Sequence, residues 1–175
     1  MSAEGGAAEE RKSSPFVELI GGQVEEWGEG YVRMSLVLER HHTNPNGVMH
    51  GGVITTLMDE VLGGAIASLR GMEVMYAAPH ATVEMNASFL LSARPGDKIV
   101  VEGRVLRLGK RVAFGEAEAH RVDRSADRRA DGELIAKGRM TFVIPARTAP
   151  RIFSFTPPMG RTRPESVTSP VIATS

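Results

Sequence analysis

Apolar residues recur at helical spacing most clearly between Gly51 and about Leu69. Val53, Leu57, Val61, Ala65 and Leu69 form one row, and Ile54, Met58, Leu62 and Ile66 form a second beside it. Two adjoining rows leave only a thin polar strip, so the pattern predicts a long, largely buried helix ending near Gly71. Ahead of it, Pro15 opens a helical turn, and Gln23 to Trp27 and Tyr31 to Glu39 read as a hairpin around Gly28-Glu29-Gly30. The second arm sets Val32, Met34, Leu36 and Leu38 on one face. His41 to Gly47 is a loop. After the helix the period changes to two. Ala81, Val83, Met85, Ala87, Phe89 and Leu91 alternate with Thr82, Glu84, Asn86 and Ser88. Lys98 to Leu108, Arg111 to Val122 and Glu133 to Ile144 are three further strands, separated by turns at Ala93 to Asp97 and Gly109-Lys110 and by a charged loop. Four long strands in succession predict an antiparallel meander. The economical packing is α+β: a curved antiparallel sheet wrapped around one long central helix.

Composition narrows the partners. The 175 residues carry 21 basic and 21 acidic side chains, so neither nucleic acid nor an anionic membrane is an expected partner. Cysteine is absent, which removes disulfides, thiolate nucleophiles and thiolate metal ligands, and a cytoplasmic setting fits. The N-terminus has no apolar signal core, and no apolar run is expected to reach the roughly 20 residues of a bilayer span, so the chain reads as soluble. Residues 1–14 read as disordered, 15–146 as one domain, and 147–175 as a mobile tail rich in Pro, Ser and Thr.

The central helix has two features that packing does not explain. Asp59 stands in its middle, where a carboxylate is a poor helix former and costly to bury unpaired. The helix also opens on Gly51-Gly52, leaving N–H groups bare and able to meet negative charge, with His50 and Asn46 beside them. A carboxylate in apolar surroundings has its charged form disfavoured and moves toward a useful general base. The competing reading is a core Asp satisfied by the backbone or by Thr55 or Thr56. Glu60, about 100° further round, reads as structural and as an ion-pair partner. His50 is either a cap or an orienting group. Gly63-Gly64 is best explained by close packing of a neighbouring element rather than by ligand contact. A metal site at His41, His42 and His50 is set aside, because cysteine and a helical i, i+4 His pair are both missing.

His50-Gly51-Gly52 with Asp59 nine positions after the His resembles the hotdog-fold thioesterase superfamily, in its phenylacetic-acid-degradation (PaaI) branch of acyl-CoA thioesterases. Thr82-Val83-Glu84-Met85-Asn86, Arg94-Pro95-Gly96-Asp97, Gly109-Lys110 and Ala136-Lys137-Gly138-Arg139 follow in the family's order, and the resemblance covers about Pro15 to Pro145. It implies hydrolysis of an acyl-CoA thioester to free acid and CoA, with no cofactor and no metal. Asp59 would then be the general base or nucleophile, and the Gly51 N–H would polarise the carbonyl. Asn46 and His50 would shape that end of the site. Thr82 stands where the family commonly has a Ser that helps hold the water, its extra methyl being a departure. Phe89, Leu90, Arg94, Gly109, Lys110 and Arg111 fall in segments that contact CoA, although solvated surface charge explains Arg94, Lys110 and Arg111 equally well.

Free sheet edges predict pairing with a second copy, as a homodimer and beyond it a dimer of dimers, or homotetramer. Gly51 and Asp59 would face each other from different subunits. Two rival functions share the fold: a non-catalytic acyl-CoA binding or sensing protein, and an enoyl-CoA hydratase or dehydratase. The acyl group, whether aryl, medium or long chain, is not readable from the residues.

Overall fold

The computed structural model describes residues 14–122 and 132–145. The tail at 147–175 and all of the expected disordered leader except Ser14 lie outside the described residues. A short helix α1 (Pro15–Leu19) leads into the hairpin β1 (Gln23–Gly28) and β2 (Tyr31–Val37). The central helix α2 runs Gly51–Arg70 and stops at Gly71, whose φ of 82° is left-handed and suits glycine. A second short helix, α3 (Met72–Ala77), follows; periodicity had not revealed it. Then come β3 (Ala81–Phe89), β4 (Lys98–Leu108), β5 (Val112–Val122) and β6 (Glu133–Val143).

The α+β expectation holds, but the order of strands corrects the expected meander. The single antiparallel sheet runs β1-β2-β4-β5-β6-β3. Of the four strands after α2, only β4, β5 and β6 follow one another as neighbours. Strand β3 lies beyond β6, and Leu90 to Asp97 carries the chain past the N-terminal end of α2 to reach β4. That passage is tied down by hydrogen bonds from the Met49 N–H to the Ala93 carbonyl (2.8 Å) and from Leu38 to Asp97 (2.9 Å). The turn chemistry of Arg94-Pro95-Gly96-Asp97 is real, with Gly96 at φ 100°, but it ends a crossover and does not close a hairpin.

Helix α2 lies unusually close to the sheet because small residues line up beneath it. Gly103, Ala117, Gly138 and Ala87 are cross-strand partners on β4, β5, β6 and β3. A Cβ at Gly103 would stand 2.6 Å from the Val61 side chain and 3.0 Å from its backbone carbon, and one at Gly115 would stand 2.6 Å from Leu62. Over this row Leu57, Met58, Val61, Leu62, Ala65 and Ile66 are fully buried. Each such aliphatic side chain contributes about 1.5–3 kcal/mol relative to exposure, except the small Ala. Val32, Met34, Leu36 and Leu38 are buried as their alternation predicted. By length and composition α2 (mean hydropathy 1.3) is long and apolar enough to cross a bilayer, contrary to the expectation that no such run exists. Its apolar face is instead covered by β2, β4 and β5.

Gly103→Ala should therefore lower stability by about 1–3 kcal/mol through overpacking, since the neighbour at 3.0 Å is backbone. A urea midpoint equal to that of the wild type would show that α2 can lift without cost.

Candidate active site

The N-terminus of α2 is built as the sequence suggested. His50 is the N-cap, and its Nδ1 accepts the Gly52 N–H at 2.8 Å. The Val53 N–H goes to the His50 carbonyl (3.0 Å), while the Gly51 N–H meets no acceptor among the described residues. His50 thus acts as the cap, fixing the turn in which Gly51 sits. Asn46 is exposed on the preceding loop, where its N–H bonds Asn44 Oδ1. The Phe89 ring, 3.2 Å from where a Gly51 Cβ would be, would have to shift by a few tenths of an ångström to admit a side chain there.

Asp59 lies two turns further on and is half-buried, less than expected. The reason is its position on the strip of α2 that faces away from the sheet. Its Oδ1 accepts a hydrogen bond from Thr82 Oγ1 at 2.5 Å. Thr55 and Thr56, the alternative partners, bond back to the Gly51 and Gly52 carbonyls instead. Thr82 reaches Asp59 because β3 is irregular at Val83. Thr82 pairs with Phe142 and Met85 with Met140, so an odd step separates two residues that share the inner face. Val83 is pushed out, 61% exposed, although simple alternation had grouped it with Met85 and against Thr82.

Glu60 takes the backbone N–H (3.1 Å) and the hydroxyl (2.9 Å) of Ser14, so its role is structural, with hydrogen bonds where an ion pair was expected. Gly64 meets the expectation of close packing: a Cβ there would be 2.9 Å from the Trp27 ring. His42 is buried and uses both ring nitrogens, Nδ1 accepting from the Glu39 N–H and Nε2 donating to the Ile20 carbonyl, each at 2.9 Å. Both bonds together require the neutral ring.

His80 escaped the sequence reading, because a lone His after a loop carries no periodic signal. It lines the same cavity as Asp59 and Thr82. Its Nδ1 accepts from Arg70 at 3.2 Å, its ring donates to the Gly63 carbonyl, and its edge meets Phe142 at 5.6 Å between centroids. Burial and then the Arg70 charge hold its pKa below the usual histidine value, against the opposing pull of Gly63 and Asp59.

The expected CoA contacts divide into two groups. Phe89, Leu90 and Arg94 stand at the end of the sheet that holds the α2 N-terminus, with Phe89 opposite Ala136. Gly109, Lys110 and Arg111 form the β4–β5 turn at the other end, where Val112 and Ala81 both pair with Val143. Between the two ends lie the nine residues of β3, about 26 Å at 3.3 Å per step. One chain does not bring these groups together.

Comparison with known proteins identifies the family and the fold. Residues 46–126 match the thioesterase superfamily. Human acyl-coenzyme A thioesterase 13 is 34% identical over 113 residues, which is 64% of this chain and 71% of the human protein. A conserved protein from Pseudomonas aeruginosa, solved as a structure, is 31% identical with a TM-score of 0.65, covering 78% of this chain and 98% of its own. The phenylacetic acid degradation protein PaaI from Thermus thermophilus shares the fold at 20% identity, with a TM-score of 0.62 over 74% of this chain and 97% of its own. The chain belongs to the thioesterase superfamily.

The buried His42 gives a pH test. Burial foremost, and then the charge of His41, lowers its folded-state pKa below the ordinary 6.5. Above that pH both the folded and the unfolded chain hold the ring neutral. As pH falls below it the unfolded chain takes the proton first, so stability is lost on the acid side. The urea midpoint should drop between pH 7 and 5, and His42→Gln should reduce that drop; an unchanged slope in the variant would overturn the assignment.

Proposed function

We propose that this chain is an acyl-CoA thioesterase whose active site is shared between two copies. The observation that carries the reading is the Asp59–Thr82 pair, facing a cavity on the same helix that presents an unoccupied Gly51 N–H at its start. Thr82 holds one carboxylate oxygen and leaves the other for a water molecule. In this reading Asp59 takes a proton from that water as its oxygen attacks the thioester carbonyl. The developing oxyanion is met by the Gly51 N–H at the positive end of the α2 dipole. The C–S bond then breaks, the thiolate of CoA gains a proton, and the acid is released. His50 contributes by fixing the turn that aims the Gly51 N–H. Asn46 stands beside it on the loop as a polar group for the bound thioester.

Distance supports the sharing. Gly51 and Asp59 are eight residues apart, about 12 Å along the helix at 1.5 Å per residue. A carbonyl and its attacking water must instead approach to about 3–3.5 Å. Strand β3 supplies the route, since its outer edge has no neighbour among the described residues and exposes Val83, Met85 and Phe89. A two-fold axis near Met85 would pair β3 with its copy. It would carry Asp59, Thr82 and the Gly109 to Arg111 turn of one subunit toward Gly51, Asn46 and the Phe89 to Arg94 segment of the other. Both halves of the CoA site would then meet. On the outer sheet face, exposed Leu106, Phe114 and Val143 offer a second apolar patch for a dimer of dimers.

Asp59→Asn should lower kcat by about 10²-fold or more, the scale of a lost general base. Turnover of CoA thioesters at the wild-type rate would show that Asp59 is not the base. Complementation tests the sharing. Asp59→Asn and Asn46→Ala are prepared separately, each confirmed inactive, then unfolded and refolded together. About half of the dimers are then mixed, each with one intact site, so activity should return to roughly a quarter of wild type. Verified mixed dimers that stay inactive would place the whole site within one chain.

A further inference from the structure

The face of α2 that turns away from the sheet borders a cavity of about 490 Å³ that includes Asp59 and Thr82. Asp59, Gly63 and Ala67 follow one another along this face at four-residue spacing, with Glu60 and Gly64 alongside. Beyond Asp59 the walls are mainly apolar, with Ser14, Glu60, Tyr76 and His80 as the polar exceptions. Trp27 and Met34 come from the β1–β2 hairpin, Met72 and Met75 from α3, and Phe142 from β6. No lysine or arginine is among the described lining residues. We propose that this cavity holds the acyl group of the substrate, selects an unbranched, uncharged chain of about ten carbons, and is narrowed on one side by Trp27 packed on Gly64.

This assignment rests on the hydrolase reading above and adds the substrate class to it. From Asp59 to Ala67 is about 12 Å along the helix. An extended chain advances about 3.3–3.6 Å per three bonds, so about 12 Å holds roughly ten. The glycines explain why the slot exists. A Cβ at Gly63 would make only ordinary contact with His80, at 3.6 Å, so a methyl fits there and would stand in the slot. A Cβ at Gly64 would instead collide with Trp27 at 2.9 Å, so this glycine sets how closely the indole can approach the helix. A chain ending in a carboxylate would bring a charge into this mainly apolar space, where no lysine or arginine among the described lining residues meets it.

Trp27 is the chain's single tryptophan, so its fluorescence reports on the cavity directly. The neutral probe 1-decanol should change wild-type emission saturably, and 1,10-decanediol, of equal length but polar at both ends, should do so far more weakly. In thiol-release assays decanoyl-CoA should be preferred to its ω-carboxylated analogue by about 10-fold or more, the scale of a mismatched pocket. Gly63→Ala should lower the ratio of decanoyl-CoA to butyryl-CoA kcat/KM by about 10-fold, the cost of one misplaced methyl group. Because Gly→Ala inside a helix favours the folded state, unfolding would not explain that loss. Trp27→Ala should widen the slot and raise kcat/KM for branched acyl chains relative to decanoyl-CoA. If decanoyl-CoA is hydrolysed while 1-decanol leaves Trp27 emission unchanged and Gly63→Ala leaves the ratio unchanged, the cavity is not the acyl site and the hydrolase reading stands. If the wild type hydrolyses no CoA ester, the hydrolase reading is the one overturned.

Discussion

The close approach of α2 to the sheet is the constraint on which the remaining structure depends. It is set by Gly103, Ala117, Gly138 and Ala87, lying side by side across four strands where most sheets present branched side chains. Val61 and Met58 fill the space those side chains would take, so the helix sinks into the concave face. Interiors pack too densely to tolerate an extra methyl at such a contact without displacement. With its inner face occupied by the middle strands, the helix leaves only its outer strip for anything else. That strip carries Asp59, Glu60, Gly63 and Gly64. Site and core are thus opposite sides of one element, and the depth at which the helix is set determines where the carboxylate stands relative to Thr82.

Small residues serve opposite ends on the two faces. Beneath α2 they permit contact, and on its outer side Gly63 and Gly64 preserve a void that Trp27 only partly closes. Glycine inside a helix costs roughly 1 kcal/mol against alanine. A pair at adjacent positions is a penalty that core packing alone does not require, since Gly63 is not tightly opposed by any neighbour. Packing against Trp27 accounts for Gly64, and the pocket accounts for Gly63. Ser14, bonded through both its N–H and its hydroxyl to Glu60, sets α1 at the border of the same void.

Much of this was legible in the sequence because it follows from periodicity. The helix, the buried row on β2 and the oddity of Asp59 all come from spacing, and the Gly-Gly start identified a bare N-terminus. What was not legible lies where a local rule is overridden by a distant partner. Helix α3 is six residues long, shorter than any periodic window can detect. The place of β3 beyond β6 depends on a crossover whose turn looks, residue by residue, like that of a hairpin. His80 gives no sign of its importance until the fold sets it against Arg70, Gly63 and Phe142.

The orientation of Thr82 is the sharpest of these failures, and it ties the parts together. Strict alternation puts Thr82 on the outer face, away from Asp59, because a strand read at period two allows no other answer. The irregularity at Val83 reverses that parity for the first residues of β3 alone. Such a bulge needs the strand to be held on both sides of it. Beyond it, Met85 to Phe89 are held by regular pairing with Met140 to Ala136. Before it, His80 is held by Arg70 at the C-terminal end of α2 and by the Gly63 carbonyl one turn after Asp59. The helix that carries the carboxylate therefore also anchors the strand that carries its partner hydroxyl. A displacement of α2 would move Asp59 and His80 together, so the 2.5 Å contact is kept by shared support and not by the hydrogen bond alone.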